Sequence, residues 1–306
     1  MTALPAYHRE PDRPAGWYRL PAVARAASDS LPPPALIVAG IVSLQLGSAL
    51  AKSLFAELPV ATVVGLRVTT AAVLLCALWR PDPRRLNRGD MLVVGGFGVT
   101  AALMSLAFYG AIARLPLGVA VTIEFLGPLG VAIASSRRWR DLLWVALAGS
   151  GVVLLSRDGL HGGGMDVLGI VFALLAAAGW ATYILLTRLN GSRFADGSGL
   201  AVSMVVASAV VLPFGLHGGA GQLNPGLLAL GAGVGLLSTV IPFSLELEAL
   251  RRIPPGLFGL LMSIEPAIAA LSGWAVLGEG LDLASWAAIG CVAVACAGAT
   301  RGQPAH

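Results

Sequence analysis

The chain is expected to be an all-α integral membrane protein, with ten transmembrane helices arranged as two inverted five-helix repeats. Three observations lead there. Of its 306 residues, 57% are hydrophobic and 12% charged, against roughly 45–50% and about 25% in soluble domains. Apolar runs close to the ~20 residues that cross a bilayer recur along the whole chain. A stretch before the middle of the sequence also returns near its end, at a constant offset.

The elements follow in order. Residues 1–33 are Pro-rich, carry Arg9, Arg13, Arg19 and Arg25, and show no small-residue cleavage site after a short apolar core. They read as a flexible tail and not as a signal peptide. The runs are then Ala35–Phe55, Val60–Trp79, Met91–Ala113, Leu117–Ser136, Leu142–Ser156, Val167–Thr187, Gly199–Leu216, Leu227–Leu250, Gly256–Leu277 and Ala284–Thr300. The fifth is the shortest. Residues 34–157 form the first repeat, 158–300 the second, and 301–306 a short C-terminal tail. Cys76, Cys291 and Cys296 all fall inside apolar runs, as small buried hydrophobes and not as a disulfide framework.

The basic residues order these runs across the membrane. A sequence pI near 9.3 could suggest nucleic acid, but the bases alternate by side. With the N-terminus in the cytoplasm, sixteen arginines fall in cytoplasmic segments, including Arg80, Arg84, Arg85 and Arg88, and then Arg137, Arg138 and Arg140. The opposite side receives Arg114 and Arg157, and Lys52 and Arg67 lie within runs. Positive loops resist translocation, so an even number of spans with both termini cytoplasmic follows.

The repeat comes from "RLPLGVAVTIEFLGP", starting at Arg114, and "RIPPGLFGLLMSIEP", starting at Arg252, which superpose at an offset of 138 residues. Pro116 meets Pro254, Gly118 meets Gly256 and Pro128 meets Pro266. Five spans per half force opposite entry into the membrane, which is an inverted repeat of the kind that lets a central site open to each side in turn. Pro128, Pro242 and Pro266 each remove a helix hydrogen bond and free a carbonyl at membrane depth. The spaced glycines Gly95, Gly96, Gly98, Gly231, Gly233 and Gly235 are expected to be close-packing surfaces. They are not a nucleotide fingerprint, since no strand precedes them.

Ionisable groups within the hydrocarbon cost at least ~2.5 kcal/mol on insertion scales, which singles out Lys52, Arg67, Glu124, Glu246 and Glu265. At 1.5 Å per residue, Arg67 and Glu124 lie at matching depth, about 10–12 Å in, and a direct or water-bridged pair between them is expected. Lys52 either snorkels to water or adds positive charge to an outer vestibule. Glu246, just past Pro242, is a gating or proton-carrying candidate. Glu265 is the deepest, and it precedes Pro266. Without a nearby cation it is a candidate proton site or a partner for a substrate ammonium. A zwitterionic solute suits this set: Arg67 or Lys52 for its carboxylate, and Glu124 or Glu265 for its ammonium. Tyr109, Phe125, Trp180, Tyr183 and Phe243 are candidates for the apolar wall. Glu248, three and four residues before Arg251 and Arg252, reads as a surface ion pair.

Four stretches carry a resemblance: "LGSALAKSLF" (Leu46–Phe55), "LPLGVAVTIEFLGPLGVAIASSRR" (Leu115–Arg138), "GWATYIL" (Gly179–Leu185) and "LSTVIPFSLELEALRRIPPGLFGLLMSIEPAIAALSG" (Leu237–Gly273). They resemble the EamA-type drug/metabolite transporter superfamily, and within it the bacterial exporters of threonine and homoserine. The resemblance implies ten helices in two inverted repeats, with the first four helices of each half around a central cavity. It also implies export of small amino acids across the bacterial inner membrane, driven by protons. Relatives within such a superfamily export other amino acids, purines or drugs. The implied partners are a small solute, protons and membrane lipids, with a homodimer possible, and neither a cofactor, a metal nor nucleic acid is implied. An intramembrane enzyme would need a nucleophile with its base, a metal cluster or an aspartate pair. Asp is absent from the ten runs, and His8, His161, His217 and His306 lie in tails, loops or at a helix end.

Overall fold

A computed structural model describes residues 31–81, 86–134, 143, 144, 146–151, 166–193, 198–250, 252, 253 and 255–301. Among these, every regular element is helical. Seven helices are long and apolar enough to cross a membrane, and two shorter apolar helices span Leu117–Val131 and Leu283–Gly298. Residues 146–151, within the fifth run, are helical. The rest of that run lies largely outside the described residues, as do most of the N-terminal tail, Arg84, Arg85, Arg137, Arg138, Arg140 and Arg157.

Local chemistry sets the helix ends. Helix α1 (Pro33–Ser53) starts with proline in its first turn, where no N–H is needed. Helix α2 (Val60–Trp79) starts after Pro59 and stops at Arg80, which adopts φ 44° and so cannot continue the helix. Helix α3 (Arg88–Ile112) opens on a reciprocal capping box: the Asp90 N–H donates to Asn87 Oδ1 at 2.9 Å, and the Asn87 N–H donates to Asp90 Oδ2 at 3.2 Å. The fourth run is broken into α4 (Leu117–Glu124) and α5 (Leu126–Ala134). Pro128 has no N–H for the Glu124 carbonyl, and the helix resets there.

In the second half, α6 (Val167–Arg193) is capped by Asp166, whose carboxylate accepts from the N–H groups of Leu168 and Gly169. The Arg114 guanidinium bonded to Asp166, together with these two N–H groups, holds that carboxyl below the ordinary aspartate range. Helix α7 (Ser198–Gly219) tolerates an internal Pro213. Helix α8 (Pro225–Gly235), capped by Asn224, runs into a π-helical turn at Leu236–Val240 and then α9 (Ile241–Leu250). Pro242 lies just beyond the wide turn, and such turns frequently mark functional sites. The ninth run is α10 (Pro255–Met262) and α11 (Glu265–Leu277), separated at Ser263 and Ile264, and Gly278 ends it at φ 67°. Helix α12 (Leu283–Arg301) closes the described chain.

The strongest packing pairs join the two halves of the sequence. Helix α2 lies along α7, α3 along α6, α1 along α9, and α4 against α11. Small residues make these approaches possible. A Cβ on Gly98 would stand 2.5 Å from the Ser203 carbonyl oxygen, one on Gly118 would stand 2.6 Å from Ala270 Cβ, and one on Gly235 would stand 2.9 Å from the Arg67 carbonyl oxygen. Gly98, Gly231 and Gly235 are thus contact points. Gly95, Gly96 and Gly233 are not, because nothing lies within 4 Å of a Cβ built there. Periodicity finds the glycine stripe but not which of its members faces a neighbour.

The cysteines are free thiols, with Cys296 buried and the other two half-buried. Arg252 donates to Glu248 Oε1 through Nε at 2.9 Å, which is the expected i,i+4 surface pair.

Candidate functional site

Five of the residues singled out in the sequence meet at one cavity of about 170 Å³: Arg67, Glu124, Trp180, Tyr183 and Glu265. They arrive on four different helices. Arg67 sits midway along α2, Glu124 is the last residue of α4, Trp180 and Tyr183 are on α6, and Glu265 is the first residue of α11. The two helix breaks therefore place both carboxylates at interrupted backbone, an arrangement confined to protein-lined cavities at membrane depth.

Arg67 is held by three contacts. Its Nε donates to Thr239 Oγ1 at 3.2 Å, its Nη1 donates to Ser105 Oγ at 3.4 Å, and its guanidinium carbon lies 5.2 Å from the centre of the Tyr109 ring, within cation–π range. Among the described residues no direct ion pair joins it to Glu124. Both bound the same cavity, which is the geometry of two charges that a solute or water can bridge. Tyr109 is fully buried behind Arg67, with its hydroxyl near Ser238, which itself donates to the Val234 carbonyl.

The aromatic candidates divide into two groups. Trp180 faces the cavity and is braced edge-on by Phe125 at 5.0 Å, and Tyr183 leans on Phe97 at 4.5 Å. Phe125 is thus a support and not part of the surface. Phe243 does not line the cavity either; it packs edge-on against Trp79 at 6.3 Å. Glu246 packs its Cγ against the α1 backbone at Gly40, beside the cavity wall and not in it. Pro128 and Pro266 act from behind, as the residues that break the ladder next to each carboxylate.

Lys52 lies elsewhere. Its Nζ forms an ion pair with Glu279 Oε1 at 2.5 Å and donates to the Leu115 carbonyl at 2.6 Å, while Glu279 Oε2 accepts from the Leu117 N–H at 2.8 Å. This network ties the end of α1, the start of α4 and the segment after α11 together. The expected outer-vestibule cation is therefore a packing clamp in this structure. Lys52→Met is expected to lower the thermal midpoint of the purified protein by several degrees and to leave solute affinity within about twofold. Calorimetry and equilibrium binding on the same sample check both.

Sequence reading missed Gln45, Ser48 and Ser105, which also line the cavity, and Thr239, which positions Arg67. One signal was available. Gln45 is the only side-chain amide inside any of the ten apolar runs, and an amide at that depth needs a partner for the same reason a charge does. Its Nε2 donates to Glu265 Oε1 at 2.9 Å. The serines carry no comparable signal, since a serine can satisfy its own helix's carbonyl, as Ser203 and Ser244 do. Among the described residues no group of His, Cys, Asp and Glu side chains could hold a metal ion.

Comparison with known proteins fits these features. Residues 167–301 match the EamA-like transporter family. Over 269 residues the chain is 38% identical to the threonine/homoserine exporter RhtA of Escherichia coli K12, covering 88% of this chain and 91% of that protein. The chain belongs to the EamA-like transporter family. This EamA-like protein is also 37% identical to the threonine/homoserine exporter RhtA of Salmonella typhimurium, over 92% of this chain and 95% of that one. A more distant relative is the uncharacterized inner membrane transporter YedA of E. coli K12, 26% identical over 62% of this chain and 64% of that one. A solved crystal structure aligns at a TM-score of 0.59 and 18% identity, over 86% of this chain and 95% of its own, so the fold is shared. The relatives that cover this chain are named as transporters, not as enzymes.

Proposed function

We propose that the chain is a proton-coupled exporter of small amino acids of the threonine and homoserine kind, working by alternating access in the bacterial inner membrane. The carrying observation is the shared cavity, in which one fixed guanidinium and two carboxylates surround a space walled by Trp180 and Tyr183. A free amino acid has the complementary charge pattern. Its carboxylate fits Arg67, whose planar fork suits bidentate recognition, and its ammonium fits the side bearing Glu124 and Glu265. The names of the two exporters that cover nearly the whole chain support the same substrate class.

The ten-helix inverted repeat belongs to this proposal, with both termini cytoplasmic. Its support is the exchange of partners across the halves. If runs one to five correspond to runs six to ten, then the third run packed on the sixth is the image of the eighth packed on the first. The second on the seventh and the fourth on the ninth are their own images. All four contacts are major ones. A pseudo-twofold axis in the membrane plane generates that pattern, and rocking about the cavity is its functional use.

Coupling is assigned to Glu265, with Glu246, which packs at Gly40 of α1, as a relay. The cavity carries more carboxylates than cations, so neutralising Arg67 with one of them leaves another that must bind a proton or a solute cation to be stable in a dry wall. Everted vesicles containing the protein are expected to accumulate labelled threonine and homoserine when a proton gradient is imposed. Glu265→Gln is expected to remove the gradient-driven part and to weaken exchange without a gradient, because the same carboxylate faces the solute ammonium. Accumulation at the wild-type level in that variant takes Glu265 out of the coupling step. A panel of other amino acids, purines and drugs in the same vesicles decides the substrate class, and exclusive transport of a non-amino-acid overturns the substrate assignment.

A further inference from the structure

The corner of the cavity between α1 and α11 holds two acceptors that no hydrogen bond satisfies. Glu265 Oε1 is used by the Gln45 amide N–H at 2.9 Å. Glu265 Oε2 and Gln45 Oε1 are both without a hydrogen-bond partner and both shielded from solvent, on residues only 3% and 1% exposed. Leaving one buried acceptor unpaired is costly, and here two belong to one hydrogen-bonded pair of residues. Nearby hydroxyls do not relieve them, because Ser43 donates to the Leu237 carbonyl at 2.7 Å and Ser263 donates to the Leu260 carbonyl at 2.6 Å. Arg67, the cation of the cavity lining, is turned to Thr239, Ser105 and the face of Tyr109.

We propose that Gln45 is the residue by which the site recognises a primary ammonium group. Gln45 spends one of its two amide N–H groups on Glu265, which fixes the carboxylate and leaves two oxygens, its own amide oxygen and Glu265 Oε2, for the donors of a ligand. An ammonium supplies several N–H donors from a single positive centre, so it satisfies both oxygens at once and carries the charge that Glu265 needs. A hydroxyl has one donor and no charge, and it leaves one oxygen orphaned. Gln45 thereby separates amino acids from the corresponding hydroxy acids, while Arg67 reads the carboxylate that both share. This inference rests on the amino-acid reading given above and adds the residue that selects the amine.

The test compares three probes on the detergent-purified full chain by isothermal titration: threonine, 2,3-dihydroxybutyrate with the amine replaced by hydroxyl, and threoninol with the carboxylate reduced. Wild type is expected to prefer threonine over dihydroxybutyrate by about 10- to 100-fold, the range for a lost partner of a buried charged group. Gln45→Leu is expected to bring that ratio to within about threefold by weakening threonine. Gln45→Asn keeps the amide with a shorter reach; it guards against a folding defect and is expected to give an intermediate ratio. Arg67→Lys is expected to weaken threonine and dihydroxybutyrate together and to preserve the ratio between them. A wild-type ratio retained in Gln45→Leu overturns the proposal. So does a thermal shift by sodium chloride without amino acid that Gln45→Leu abolishes, which would make the corner a metal-cation seat. If wild type binds neither threonine nor homoserine, the substrate reading itself fails, an outcome distinct from a retained ratio.

Discussion

Arg67→Ala is expected to abolish saturable amino-acid transport and to weaken solute binding by at least ~10-fold, with ~100-fold the upper expectation. The range follows from hydrogen bonds to charged groups, which contribute roughly 1.5–3 kcal/mol each, and from the absence of a substitute cation in the cavity wall, since Lys52 is engaged with Glu279 and the Leu115 carbonyl. The deletion also leaves Glu124 facing a cavity with no positive charge. Arg67→Lys keeps the charge but loses the fork that donates to Thr239 and Ser105 at the same time. It is expected to retain measurable transport at a raised KM. Uptake curves for both variants in vesicles with matched protein content decide the matter. Wild-type KM in Arg67→Ala would move the solute carboxylate to a different residue.

Gly98→Val is expected to damage folding strongly, and Gly95→Val, one turn earlier on the same helix, to be nearly silent. A Cβ on Gly98 meets the backbone carbonyl of Ser203 at 2.5 Å and Val206 Cβ at 2.7 Å, whereas a Cβ on Gly95 meets nothing within 4 Å. Backbone cannot rotate aside as a side chain can, so α3 and α7 have to separate. Overpacking costs typically 1–3 kcal/mol, which corresponds to a fall in thermal midpoint on the order of 5 °C for a chain of this size. Fluorescence-detected size exclusion after a heating series compares the pair directly. Equal midpoints for the two variants would show that the α3–α7 seam yields more easily than its geometry implies.

The contrast between those two glycines shows what the sequence carries and what it withholds. Hydropathy and the arginine pattern give each residue a depth, and depth sufficed to bring Arg67, Glu124 and Glu265 under suspicion, all of which meet at the cavity. Depth says nothing about which way a side chain faces around its helix. Gly95 and Gly98 are indistinguishable by depth and opposite in surroundings, and Phe243 has a plausible level but turns to Trp79. Lys52 lies outside the cavity lining for a different reason: its partner, Glu279, sits past the end of α11, beyond any local spacing rule. The break at Ser263 and Ile264 lies one residue before the Glu–Pro pair that signalled it. Its effect was larger than a kink, because it turns Glu265 from a mid-helix residue into a helix start.

The π turn at Leu236–Val240 matters for anyone redesigning what this protein carries. Ser43 bonds to the Leu237 carbonyl, Gly47 would collide with Ser238 if it gained a Cβ, and Arg67 holds Thr239. Two helices that bound the cavity, α1 and α2, are thus pinned to three consecutive residues of this turn, so mutations there trade selectivity against expression in one step. Leu44, Met104 and Phe108 line the same space through apolar side chains alone. Diversity libraries aimed at new solutes belong at those three positions, with residues 236–240 kept constant.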